Sequence, residues 1–366
     1  MGFRTNAAGL DLNRDHLKVD SPEIRALLAL VDRWQPDLHV DDHVTDGSDH
    51  DWTLTYSWVE APQAAPTVDA WLRAHMPKVL DTTRAAGFGV GPYVSLRDRA
   101  DPTGGFSSYV GRPWYATGYW ALRNRPSILI EHRAYAPYED RVRANHAFLS
   151  ALLAEIAGDP AALRRAVQAA DARTVARGAS DAPPSEIAIA WDLAGSHDTV
   201  RWPVREWYLE PSVALGTPVL GFRPGTTRPI DVPWFHAPEA TVTAARPRGY
   251  LIRPGWPRVT ERLALHGLRV ERLAGEAIVE VESFRVTDLE HAVSTYQGRS
   301  RADAEVTVTR EPMRFPAGTL WVPADQPGFE IAVQLLEPES PDSLFAWGFL
   351  ASAAEVKEYI EPRVLE

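Results

Sequence analysis

The chain contains no cysteine. Disulfides and thiolate metal sites are thereby excluded together, so any metal must be held by imidazole and carboxylate groups. Lysine is nearly absent as well: of 38 basic residues only Lys18, Lys78 and Lys357 are lysines. Positive charge is therefore carried by arginine, whose planar fork suits carboxylate recognition. Acidic residues still outnumber basic ones, giving a formal net charge of −11 and a pI near 5.5. That balance opposes nonspecific binding to nucleic acid or to acidic membranes. No apolar run approaches the ~20 residues of a membrane span. The opening residues, MGFRTNAAG, lack the apolar centre of a signal peptide.

What remains is ordinary globular material: 366 residues, 45% hydrophobic and 24% charged, enough for two domains or one large one. The stretch SPEIRALLALVDRW (21–34) predicts a helix. Ser21 stands at its N-cap, Pro22 at the first helical position, and Ile24, Leu27, Leu28, Val31 and Trp34 form one stripe. A strand over 38–45 follows, then a second helix over 67–85 ending near Gly87. SILIEH (127–132) reads as a short buried strand leading into a helix from about 139 to 156. Alternating strands and helices predict an α/β sheet for residues 1–158. A helical connector and a Pro-rich linker occupy 159–184. From 185 to 366 the grammar becomes short alternating runs broken by Pro and Gly, which predicts a β-rich domain interrupted by one helix around 258–266.

Three polar constellations stand out. In GLDLNRDH, Asn13 and Arg14 are adjacent in a predicted turn, a guanidinium fork with an amide beside it. In DLHVDDHVTDG, strand alternation puts His39, Asp41 and His43 on one face and Leu38, Val40, Asp42 and Val44 on the other. Residues i and i+4 on a strand lie ~13 Å apart, so His39 and His43 cannot share a metal ion. His43, at the C-terminal end where open α/β sheets place their sites, is the better candidate. Glu131 closes an apolar strand, where a carboxylate is either salt-bridged, by Arg125 or Arg133, or a base.

In this order, these elements resemble the zinc carboxypeptidase family, the carboxypeptidase A-like metallopeptidases, and most of all its large bacterial members with an added C-terminal domain. The resemblance rests on RTNAAGLDLNRDHLKVDSPEIRALL, WQPDLHVDDHVTDG, ATGYWALRNRPSILIEHRAYAPYEDRV, RPRGYLIRPGW and LLEPESPDSLFAWGF. It implies a mixed sheet with flanking helices followed by the β-rich part, hydrolysis at peptide and protein C-termini, and Zn²⁺ as cofactor. It implies a secreted or periplasmic setting for a full-length member. Residue by residue it implies that Asn13 and Arg14 bind the terminal carboxylate, His43 is a zinc ligand, Glu131 is the general base and Tyr119 closes over the substrate.

The family's other two zinc ligands lie in a His-x-x-Glu motif before the Asn-Arg pair, and no histidine precedes Asn13 here. The one H-x-x-E, at His236–Glu239, stands in the β-rich half and contains a proline. The expectation is therefore a shortened form, a poor or inactive peptidase as it stands, with a sheet that lacks its first strands. A non-catalytic peptide-binding or structural remnant of the fold is the alternative. A metallohydrolase recruiting Asp41, Asp46 or Asp49 beside His43 is a third reading.

Overall fold

The computed structural model describes residues 4–45, 50–193, 195 and 197–354. A 3₁₀ turn at Leu12–Arg14 precedes α1 (Pro22–Trp34). Then come β1 (His39–Val44), β2 (Leu54–Trp58), α2 (Pro66–Ala85), β3 (Val90–Pro92), β4 (Val94–Leu96) and β5 (Phe106–Ser108). After them run α3 (Ala116–Leu122), β6 (Ser127–His132), α4 (Tyr138–Gly158) and α5 (Pro160–Gly178). Contacts divide the chain into two compact units, each assembled from separate stretches: 35–173 with 191–241, and 1–34 with 174–190 and 242–366.

The first of these holds a four-stranded sheet in the order β1-β6-β2-β3. β6 runs parallel to β1 and antiparallel to β2, and β2 runs parallel to β3. The sheet is thus mixed, and helices flank it, as the α/β reading expects. Every residue of β6 is buried, which follows from its central place between two strands. Ile128 and Ile130 of β6 and Leu54 of β2 pack with Leu72 and Met76 of α2 and Phe148 of α4, all nearly inaccessible. The alternation read in β1 is present: Val40 joins this core, while His39 on the other face stacks on Trp120 of α3 at 4.8 Å.

Beyond the linker the chain is rich in strands: β7 (Glu186–Leu193), β8 (Asp198–Val204), β9 (Trp207–Pro211), β10 (Pro218–Phe222), β11 (Arg228–Phe235), β12 (Pro238–Ala245) and β13 (Gly249–Ile252). A second sheet in the first unit, β4-β5-β11-β8, closes over Phe106, Trp202, Val204 and Val232. In the other unit α6 (Pro257–Leu265) ends at Gly267, which takes the left-handed φ of +69° that a helix terminus favours. It is followed by β14 (Glu271–Arg272), the long hairpin β15 (Ala277–His291) with β16 (Ala302–Phe315), β17 (Leu320–Pro323) and α7 (Phe329–Leu336).

Two local readings need correction. Trp34 does not complete the buried stripe of α1 but stands 68% exposed, because the helix ends there and the last turn turns its ring outward. The β-rich stretch also holds a second helix, α7, whose short and mostly apolar run FEIAVQLL, broken only by Glu330 and Gln334, is too brief for its period to separate helix from strand.

Candidate functional site

The site begins with register. His43 and Glu131 are direct partners across the parallel pair of β1 and β6, and so stand on one face of the sheet about 4.8 Å apart in backbone. Both lie at the C-terminal ends of their strands, and the chain is pinned just beyond. Thr45 N–H donates to His132 O at 2.8 Å, and Ala134 N–H donates to Thr45 Oγ1 at 3.1 Å. On the other side Thr55 of β2 faces Glu131, and its hydroxyl donates to the Glu131 carbonyl at 3.1 Å.

His43 Nε2 lies 2.8 Å from Asp41 Oδ1, the residue two earlier on the same face, so the carboxylate orients the ring. The His43 side chain keeps 23% of its exposure, whereas Glu131 keeps 9%. His39, the other histidine of β1, is a packing residue: its Nδ1 lies 3.0 Å from Ser127 Oγ and its ring is stacked on Trp120. The opposite face carries a parallel polar set, with His132 Nε2 3.2 Å from Asp42 Oδ1. Of the two arginines expected as partners of Glu131, Arg125 is occupied elsewhere, donating to Asp171 Oδ1 at 3.0 Å.

Next to this end lies a set that sequence reasoning did not find. Arg205, nearly buried after β8, donates through Nε to Asp51 Oδ1 at 2.8 Å, and the Thr227 hydroxyl donates to the other carboxylate oxygen. Burial pulls the Asp51 carboxyl upward, but the Thr227 and Arg205 hydrogen bonds and the charges of Arg205 and Arg133 together hold it below the usual carboxylate range. Arg205 and Asp51 are 154 positions apart, and neither stands in a motif.

Tyr119 is fully enclosed in α3, and its hydroxyl accepts from Arg123 Nη1 at 2.7 Å. Burial raises its phenol above the ordinary range against the pull of Arg123. Contact between Tyr119 and a substrate would require α3 to move. Asn13 and Arg14 belong to the other compact unit. They form the predicted turn, capped by Asp11, whose Oδ1 accepts from Asn13 N–H at 3.0 Å. Arg14 donates through Nη1 to the Asn13 carbonyl at 2.8 Å and stands 3.8 Å from Asp11 Oδ2. Asp46 and Asp49 lie outside the described residues. His236, within the dismissed H-x-x-E, pairs with Asp198 at 2.8 Å.

A catalytic zinc site ordinarily takes three protein ligands. Among the described residues no group of three or more His, Asp and Glu side chains is placed to hold a metal ion. His43 and Asp41 offer two donors, and the nearer oxygen of Asp41 is directed at His43. The described residues therefore do not by themselves fit a catalytic zinc.

Comparison with known proteins bears on this geometry. The matches are to carboxypeptidases. Over 122 residues, 33% of this chain, it is 32% identical to "Carboxypeptidase 2" of Trichophyton tonsurans, and the match spans 23% of that protein. "Carboxypeptidase 2" of Trichophyton rubrum is 31% identical over the same length and share. "Probable carboxypeptidase 2" of Arthroderma benhamiae is 31% identical over 116 residues, 32% of this chain and 22% of that one. The chain thus covers less than a quarter of the curated relatives it matches. These relatives are fungal, so the comparison does not bear out the expected likeness to bacterial members. No family model matches the chain, and no solved structure matches it significantly. Among the described residues no helix is long and apolar enough to cross a membrane.

Proposed function

We propose that the C-terminal ends of β1 and β6 form the reaction end of a carboxypeptidase-type peptidase acting on peptide and protein C-termini. The observation that supports this reading is the registered pair of His43 and Glu131, in a chain one third of which is similar to proteins named carboxypeptidase 2. Glu131 is the general base. It takes a proton from water, the hydroxide bonds to the scissile carbonyl carbon, and the proton passes to the departing amine as the C–N bond breaks. A nearly enclosed carboxylate suits this work, because little bulk water competes for the proton.

The finer reading is a zinc-type enzyme with His43 as one ligand. Because the described donors are too few, no step is routed through the metal, and turnover by this chain is expected to be slow. Asn13 and Arg14 are proposed to take the terminal carboxylate of the substrate, a bidentate role for which a guanidinium is shaped. The short donor set favours a second reading, a non-catalytic peptide-binding form of the same fold.

Metal content and hydrolysis separate the two. The purified chain is equilibrated with Zn²⁺, dialysed, and assayed on peptides with free or amidated C-termini. Bound zinc that is lost in His43→Ala, with release of C-terminal amino acids, supports the enzyme. Peptide binding with neither zinc nor release supports the second reading.

A further inference from the structure

Within the first unit, and independent of the peptidase reading, a cleft of about 140 Å³ opens beside the end of β2. Tyr56, Trp58, Tyr93, Tyr109 and Trp234 line it, with the His236 ring 4.3 Å from that of Trp234. Tyr56 and Trp58 stack nearly parallel, with ring centroids 5.2 Å apart and planes 14° from one another. Tyr93 and Tyr109 meet edge-on at 6.2 Å with planes 65° apart, so the rings present walls of different inclination. Trp234 is fixed from behind by its indole N–H, which donates to Ser108 Oγ at 3.0 Å.

Glu60 is the only carboxylate in the lining, neither lysine nor arginine is among the lining residues, and the His236 ring at its edge pairs with Asp198 at 2.8 Å. The cation nearest Glu60, Arg73, stands 3.2 Å away and also donates to Asp69 Oδ2 at 2.9 Å. One guanidinium is thus shared by two carboxylates, and the group keeps a net negative charge. Aromatic faces are electron-rich, and several of them around one small space attract a cation that gives up its water at little cost. An alkylated ammonium meets that condition, since its charge is spread over methyl groups that also fill apolar space. The volume agrees: a cavity near 150 Å³ accepts a molecule of about the size of benzene.

We infer that this cleft is a binding site for a small alkylammonium cation, a trimethylammonium head group being the size and charge it fits. Rings supply the walls, and Glu60 supplies the compensating charge.

The test compares choline with its uncharged isostere 3,3-dimethyl-1-butanol, which has the same shape and hydroxyl but carbon in place of nitrogen. Binding to the full chain is followed by saturation-transfer NMR on the methyl protons. Choline should bind about tenfold more tightly than the alcohol, and its methyl resonance should move upfield under the rings. Glu60→Gln, which changes a partly exposed side chain without loss of shape, should narrow that ratio severalfold. Tyr93→Leu should weaken choline more than the alcohol, with an unchanged thermal unfolding midpoint confirming the fold. Equal binding of the two molecules would show an apolar pocket and overturn the inference. Absence of choline binding at tens of millimolar would overturn it as well.

Discussion

At the scale of single residues, what each polar side chain faces decides what it can do. His43 is held by Asp41 and stands level with Glu131, while His39, four residues earlier, is spent on packing against Trp120. Arg14 shares its surroundings with Asp11, so an incoming carboxylate competes with a neighbour 3.8 Å away for the same fork. Arg14→Ala is therefore expected to weaken use of free-carboxylate peptides by about 1.5–3 kcal/mol, the range for a charge-assisted contact. Amidated peptides should be little affected. Ratios of kcat/KM for the matched pair of substrates check it, and an equal loss on both would rule out the proposed carboxylate-binding role of Arg14.

At the scale of elements, β6 does most to position the site, since it lies between β1 and β2 and carries Glu131 at its end. Ile130, one residue before Glu131, is fully buried against α2 and α4. Ile130→Ala should cost about 2–5 kcal/mol by lost burial and a cavity, read as a lower urea midpoint at unchanged slope. Much of this element was legible in the sequence. The apolar run of SILIEH announced a buried strand, and alternation in HVDDHV put Asp41 and His43 together. Register was not legible, because nothing local says that His43 pairs with Glu131 and not with a residue one or two away. The Asp51–Arg205 pair was hidden for a related reason: two residues so distant in sequence meet only through the fold of a second sheet. Trp34 and α7 were misread where burial, which periodicity alone does not report, decides the outcome.

At the scale of the whole molecule, charge is organised by burial, most densely in the unit that holds the Asn13–Arg14 turn. Lys18 is fully buried between Asp15 and Asp20, and Asp20 also receives Arg262 at 3.1 Å and Arg299 at 2.6 Å. Burial alone would raise the Asp20 carboxyl. The Arg299 hydrogen bonds and the Lys18 charge outweigh it and bring the pKa from 3.8 to about 2. A carboxyl lowered by folding stabilises the native state above its unfolded pKa, near 3.9, and that contribution fades as pH falls toward 2. After allowance for solvent at a partly exposed carboxylate, about 1–2 kcal/mol is at stake. Asp20→Asn should thus be less stable than wild type at pH 5–7, with the two urea midpoints converging by pH 2. Parallel curves across that range would refute the assignment.

The proposed role of Glu131, beside His43, as base of a carboxypeptidase-type reaction is tested by the release of C-terminal amino acids from a peptide panel by wild type and by Glu131→Gln, with zinc supplied and with zinc chelated. Circular dichroism of both proteins monitors the fold. The amide keeps the shape of the side chain and removes its capacity to accept the proton. Slow release by wild type, confined to peptides with a free carboxylate, is expected, with none by Glu131→Gln at unchanged structure. Release by Glu131→Gln at the wild-type rate would exclude Glu131 as the base.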